Sequence, residues 1–332
     1  ETSSIGVELA CDKEDTKFLL EQAEVNVPKG DIISKEASLE AACNYIGYPL
    51  VIKPIDGNHG RGITVDINTY EEALEAFKNA KNVSSRVIVE TFIVGEDYRL
   101  LVINNKLVAA AKRTPAHVIG DGESTVEQLI DSVNRDPRRG YGHEKELTQI
   151  AINELTKTII KDAGYTLDSV LSNNERLILK DTANLSTGGT AEDVTDIVHP
   201  ANVSMVERIS KIIDLDICGI DIMTTDITLP LSETNGAILE VNAGPGFRMH
   251  LAPTKGLPRN VAAPVIDKLF PNKGDVGRIP IIAITGTNGK TTTSRLIAHI
   301  AKMRGFRVGY TTSDGVYIQS RLLMKGDCTG SA

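Results

Sequence analysis

With 332 residues, 41% of them hydrophobic and 24% charged, the chain has the make-up of a globular protein large enough for two cores or more. A net charge of −8 argues against nucleic acid as the partner, and no apolar run approaches the roughly 20 residues needed to cross a bilayer. Cys11, Cys43, Cys218 and Cys328 lie far apart and read as reduced thiols in a cytoplasmic setting, and the six histidines show no zinc-ligand spacing.

Residues 12–22 read as a helix capped by Asp12, with Phe18, Leu19 and Ala23 as its apolar face. A strand begins at Ile32-Ile33, and a second helix spans 38–45 with Ser38 as its cap. The strand 50–54 runs into a glycine-rich loop from Asp56 to Gly62 and returns through 63–65. A helix over 70–79, a strand over 86–90 and a hairpin turning at Asn104-Asn105 follow. The spacing predicts a long helix over 146–163, burying Leu147, Ile150, Ile152, Leu155 and Ile159, and another over 202–213. Strands at 218–224 and 236–241 flank a polar, disordered-looking stretch, 225–235. A closing segment at 264–270 leads to the linker candidate 271–278. Ile281 to Ile284 then read as a buried strand feeding the turn Gly286-Thr287-Asn288-Gly289, which opens a helix over 292–304. The first residues are neither an initiator Met nor a signal peptide, and the chain stops in mid-motif at Ala332, so a piece of a longer product is expected.

Two stretches carry nucleotide chemistry. In the first, Lys53 ends an apolar strand beside the Gly57/Gly60/Gly62 loop, an arrangement that can hold triphosphate oxygens and cover them. Glu90, followed by Phe92 and Ile93, suits an adenine: a carboxylate and a backbone edge for the amino group, apolar side chains for the ring. Asp97 is placed to reach a ribose hydroxyl. Asp221, with Glu240 and Asn242 on one face of a strand, supplies hard oxygen ligands for Mg²⁺. In the second stretch, Gly286, Asn288, Gly289, Lys290, Thr291 and Thr292 form a phosphate-binding loop. Backbone N–H groups at the helix start face the phosphates, Lys290 adds charge, and the Thr291 hydroxyl can ligate Mg²⁺.

The first stretch resembles the ATP-grasp superfamily, and the second is similar to the P-loop of the Mur ligases. The implied fold is an α+β ATP-grasp domain over 1–270, then the beginning of an α/β P-loop domain, like the Mur ligase central domain, over 279–332. Carried over to this sequence, Lys13 and Lys53 contact phosphates, His59 and Gly60 belong to the flap, and Glu90 and Ile93 line the adenine pocket. The order of the two domains resembles the cyanophycin synthetase family. Asp181 to Gly189, Asn242 to His250 and Ser313 to Tyr317 are further local matches.

That resemblance implies an ATP-dependent amide ligase. Its first site activates the carboxylate at the end of an aspartyl–arginine polymer and adds aspartate; its second, incomplete here, joins arginine to the aspartate β-carboxylate. Arg248 is the candidate for gripping a substrate carboxylate, and Ser186, Gly188 and Gly189 for binding the acceptor or a phosphate through backbone N–H groups; Arg99 and Arg113 are weaker candidates. Aspartate, arginine and a polymer primer are the expected partners, with ATP and Mg²⁺ as cofactors, and a homo-oligomer is the expected assembly. Alternatives are a one-site synthetase that polymerises β-aspartyl-arginine dipeptides, another ATP-grasp peptide ligase, and a non-enzymatic nucleotide-binding module.

Overall fold

The computed structural model describes residues 2–55, 62–142, 144–272 and 279–328. Two compact units, Glu1–Leu269 and Phe270–Ala332, partition the chain. The first unit begins with a four-stranded antiparallel sheet in the order Gly30–Ile33, Val87–Thr91, Leu50–Pro54, Thr64–Ile67. Ile33, Leu50, Ile52, Val87 and Val89 bury one face of it under the helices Leu39–Ile46 and Tyr70–Lys81. Thr69 starts the latter helix with a reciprocal cap: its hydroxyl accepts from the Glu72 amide, and the Glu72 carboxylate accepts from the Thr69 amide. Ser38 makes no such cap; a 3₁₀ turn, Glu36–Ser38, precedes the helix instead.

A five-stranded antiparallel sheet follows, in the order Thr190–Asp193, Lys106–Thr114, Glu96–Ile103, Ile217–Thr224, Ala237–Asn242. Asn104 and Asn105, with φ of 52° and 59°, turn its central hairpin in the left-handed conformation that matches strand twist. Tyr98, Leu100, Val102, Ile220 and Ile222 face one side and bury the helix Pro200–Ile213, with Leu9 and Leu20 from the helices Ser4–Cys11 and Lys13–Gln22. The period of two sends Asp97, Arg99 and Asp221 to the other side. Phe18 was expected in the apolar face of its helix, but it is 59% exposed; Leu20 takes the buried place.

A third apolar cluster forms around a two-stranded antiparallel sheet, His117–Ile119 with Arg176–Ile178, and the helices Val126–Asn134 and Glu154–Asp162 that lie between those strands in the chain. Here the long helix expected over 146–163 is cut to half. Leu147–Thr148 pairs in parallel with Arg139–Gly140, and Asn134 ties down the backbone of Ile150 on both its N–H and its C=O. Asn153 then caps the shortened helix. Leu155 is exposed as a result, and Ile160 is the buried residue. The 225–235 stretch is ordered too, because Ile227 and Leu231 anchor it in the main core and Leu231–Thr234 forms a helical turn.

The second unit holds the helix Lys290–Met303 and a three-stranded meander, Gly309–Thr312, Gly315–Ile318, Arg321–Lys325. The predicted strand at Ile281 to Ile284 is absent. Those residues are irregular, and Ile281 is 84% exposed. An apolar strand of that kind is stable only between neighbours, and the described residues offer it none. Most of the expected linker, 273–278, lies outside the described residues.

Candidate active site

A cleft of about 290 Å³ opens between the four-stranded sheet, the helix Lys13–Gln22 and the edge strand Ala237–Asn242. It collects three ammonium groups, from Lys13, Lys17 and Lys53; Glu90 and Glu240 are among the carboxylates that line it, with Glu14, Glu21 and Asp31. Val27, Ile88 and Leu239 supply apolar walls. Lys53 comes from the end of the strand that the sequence marked, and it forms an ion pair with Glu90. Lys17 reaches the same carboxylate at 3.7 Å. Burial depresses the Lys17 pKa, with the Glu90 charge opposing it and Lys53 adding to it. Sequence reasoning overlooked Lys17, although it lies one helical turn after Lys13, the i,i+4 spacing that puts both on one face. Phe92 and Ile93 follow the strand Val87–Thr91 and do not line this cleft. His59 and Gly60 lie outside the described residues.

Across the five-stranded sheet runs a buried charge network. Arg99 donates to both oxygens of Asp221, and Arg113 reaches Asp221 at 3.0 Å and Asp97 at 2.6 Å. Asp97, expected beside a ribose, is thus tied to Arg113, and burial pushes its carboxyl above the usual range despite that partner. Asp221 and Glu240 stand directly opposite on adjacent strands, with Gly219 opposite Asn242. Two carboxylates so placed repel unless a cation lies between or beside them.

The three residues expected to ligate Mg²⁺ thus have different surroundings. Glu240 and Asn242 offer hard oxygens on one face of a strand, a donor type that fits Mg²⁺. The Asp221 carboxylate is already neutralised by two guanidinium groups. Among the described residues, no three acidic, histidine or cysteine side chains cluster as metal ligands.

His250 packs beneath this network, 2% exposed, with neither ring nitrogen hydrogen-bonded. Burial, and then the Arg99 charge, lower its pKa to about 4. An unfolded histidine protonates near 6.5. Folding should therefore lose stability as pH falls from 6.5 toward 4, and level off below that. His250→Phe is expected to narrow the difference in Tm between pH 7 and pH 4.5 by several degrees, measured by thermal melts at both values. An unchanged gap would mean that other groups set the acid sensitivity.

Arg248 does not enter the cleft. Its guanidinium donates to the carbonyls of Gly142 at 3.3 Å and Lys145 at 3.2 Å, and to the Thr148 hydroxyl at 3.3 Å. Ser186 sits in a 3₁₀ turn, Leu185–Thr187, closed by Gly188 at φ 98°. A Cβ on Gly188 would come within 2.7 Å of Ile150 Cγ1. Gly188→Ala is accordingly expected to destabilise the unit by about 2–3 kcal/mol, from left-handed strain plus overpacking. Urea unfolding checks this, and a loss under 0.5 kcal/mol would show that the turn relaxes freely.

In the second unit, Gly289 sits at φ 76° just before the helix Lys290–Met303. Lys290 folds back to donate to the carbonyl of Gly286 at 2.7 Å, and the Thr291 and Ser313 hydroxyls lie 3.4 Å apart.

Two lysine-bearing helix and strand elements closing on a cleft against an antiparallel sheet define an ATP-grasp domain. A family model for RimK-like ATP-grasp domains matches residues 10–128. The solved structure of a bifunctional glutathione synthetase from Pasteurella multocida is similar, with a TM-score of 0.62 and 31% identity. That likeness covers 81% of this chain and 38% of that one. Cyanophycin synthetase from Nostoc sp. is 57% identical over 330 residues, which are 99% of this chain and 36% of that protein. The Synechocystis sp. cyanophycin synthetase is 56% identical over 98% of this chain and 38% of its own length. Over nearly its whole length the chain is similar to cyanophycin synthetases, and it spans little more than a third of the curated relatives it matches. No described helix is long and apolar enough to cross a membrane.

Proposed function

We propose that the protein carrying this chain is an ATP-dependent ligase that extends an aspartyl–arginine polymer. The observation that carries this reading is the convergence of Lys13, Lys17 and Lys53 with Glu240 on one cleft of an ATP-grasp domain. Three ammonium groups counter the charge of a triphosphate. Glu90, held by Lys53 and Lys17, fixes their side chains and leaves the cleft a donor–acceptor edge for the adenine amino group. Magnesium, held by Glu240 and Asn242, would neutralise phosphate oxygens during transfer. Residues of the cleft align the polymer's terminal carboxylate with the γ-phosphorus. The carboxylate oxygen forms the new P–O bond as ADP leaves. The aspartate amine then attacks the acyl carbon, phosphate departs, and the amine gives up a proton. Most of this catalysis is positioning and charge neutralisation.

The Gly286–Thr292 loop is read as the start of a second nucleotide site of Mur type, which would join arginine to the β-carboxylate. Lys290 and Thr291 are its phosphate and Mg²⁺ contacts in this reading.

The test is phosphate release by the full-length gene product with Mg-ATP and an aspartyl–arginine primer. Turnover with aspartate that continues only when arginine is present is expected. Turnover with free β-aspartyl-arginine dipeptide alone would transfer the protein to the one-site class. Silence with every substrate would sink both.

A further inference from the structure

A second cavity, of about 310 Å³, opens at the third apolar cluster and shares no lining residue with the lysine cleft. Val118, Leu129 and Val133 form apolar walls, and Arg139, His117 and Gly188 bring polar groups to it. Arg139 is 6% exposed, yet no described carboxylate pairs with it. Among the described residues its guanidinium donates only through Nη1, to the carbonyls of Thr148 at 2.5 Å and Gly188 at 3.1 Å. The Asp136 carboxylate acts on it only from a distance; a buried cation without a direct ion pair is costly, and here it borders an amino-acid-sized space. The contrast with Arg99, Arg113 and Arg259 is direct, since each of those is met by a carboxylate.

His117 adds a second feature. Its Nδ1 lies 2.8 Å from the Pro115 carbonyl, which places the ring proton there and leaves Nε2 as an acceptor. Burial, first among several causes, lowers its pKa and keeps it neutral. The cavity thus offers one strong anion site and one acceptor beside methylene-sized apolar walls.

Resting on the function proposed above, we infer that this cavity grips an upstream branch of the polymer. The branch is an arginine joined through its α-amine to an aspartate side chain, so it presents a free α-carboxylate next to an amide N–H. Arg139 takes the carboxylate, His117 Nε2 accepts from the N–H, and the apolar walls cover the arginine methylenes. Thr190, also on the cavity wall, lies at one edge of the five-stranded sheet, and Glu240 lies at the other. Four interstrand steps of about 4.8 Å separate them by roughly 19 Å. An extended chain advancing about 3.3 Å per residue covers that distance in roughly six residues. The cavity is therefore too remote for the reacting end and suited to holding a primer long enough to reach it.

The experiment measures KM and kcat of the full-length gene product for primers of three and of ten aspartyl–arginine units. The ten-unit primer is expected to bind about tenfold better in the wild type. Arg139→Gln should erase that advantage, leaving kcat and the three-unit KM unchanged, and Arg139→Lys should restore part of it. Ser132→Trp, which fills the cavity from its exposed rim without touching the Arg139 bonds, should act like Arg139→Gln even if the latter folds poorly. A ten-unit primer with amidated arginine carboxylates should show the raised KM in the wild type and no further rise in Arg139→Gln. Equal KM values for both lengths in the wild type, or equal rises for both in the variants, would overturn the inference while leaving the ligase intact. A wild type that extends neither primer overturns the function itself.

Discussion

Asp221→Asn is expected to destabilise the first unit by about 3–5 kcal/mol, the largest loss foreseen for a single exchange. Arg99, Arg113 and Asp221 are each less than 10% exposed, and Asp221 accepts from both guanidinium groups. With Asp97, the network holds two positive and two negative charges. Asparagine keeps the shape and removes one negative charge, which leaves an arginine buried with too little compensation. The loss should appear as a fall in Tm on the order of 10 °C, and as a lower urea midpoint with an unchanged slope. Pairing the exchange with Arg99→Met should recover much of the stability, because both partners of the ion pair then disappear together. A drop below 1 kcal/mol for Asp221→Asn would mean that water reaches the network and screens it.

Glu240→Ala is expected to do the reverse: about 10²–10³-fold less ATP turnover with little change in stability. Glu240 is half-exposed, makes no hydrogen bond or ion pair among the described residues, and faces the Asp221 carboxylate across the strand pair. Removing it breaks no hydrogen bond or ion pair among the described residues, and Asp221 across from it is already held by Arg99 and Arg113, so the Tm should hold. In the mechanism proposed above, what it removes is the anionic ligand for the Mg²⁺ that would offset phosphate charge. Nucleotide binding, followed by isothermal titration, should persist within about tenfold while phosphate release falls. Undiminished release would take Glu240 out of the mechanism and reopen the reading of the chain as a binding module.

How far the sequence could be read depended on the range of each interaction. Asp12 caps the helix Lys13–Gln22 as expected, and the Asn104-Asn105 hairpin turns where the two asparagines stand. Caps, turns and the period of two involve residues only a few positions apart, so their geometry is written locally. Lys53 at a strand end beside glycines was visible for the same reason.

The helix expected over 146–163 failed because Leu147–Thr148 pairs with Arg139–Gly140, and a loop took residues with helical spacing. The strand expected at Ile281 to Ile284 failed for want of neighbouring strands. The pairing of Asp221 with Arg99 could not be read in the sequence, because the two stand 122 positions apart. The isolation of Arg139 was likewise invisible, since its contact at Gly188 is 49 positions distant. The sequence by itself determined the class of the protein, because glycine turns, strand-end lysines and alternating ligands are short-range patterns. Only the tertiary structure decided which charges are paired and which are left free, because that depends on which strands the sheets bring side by side.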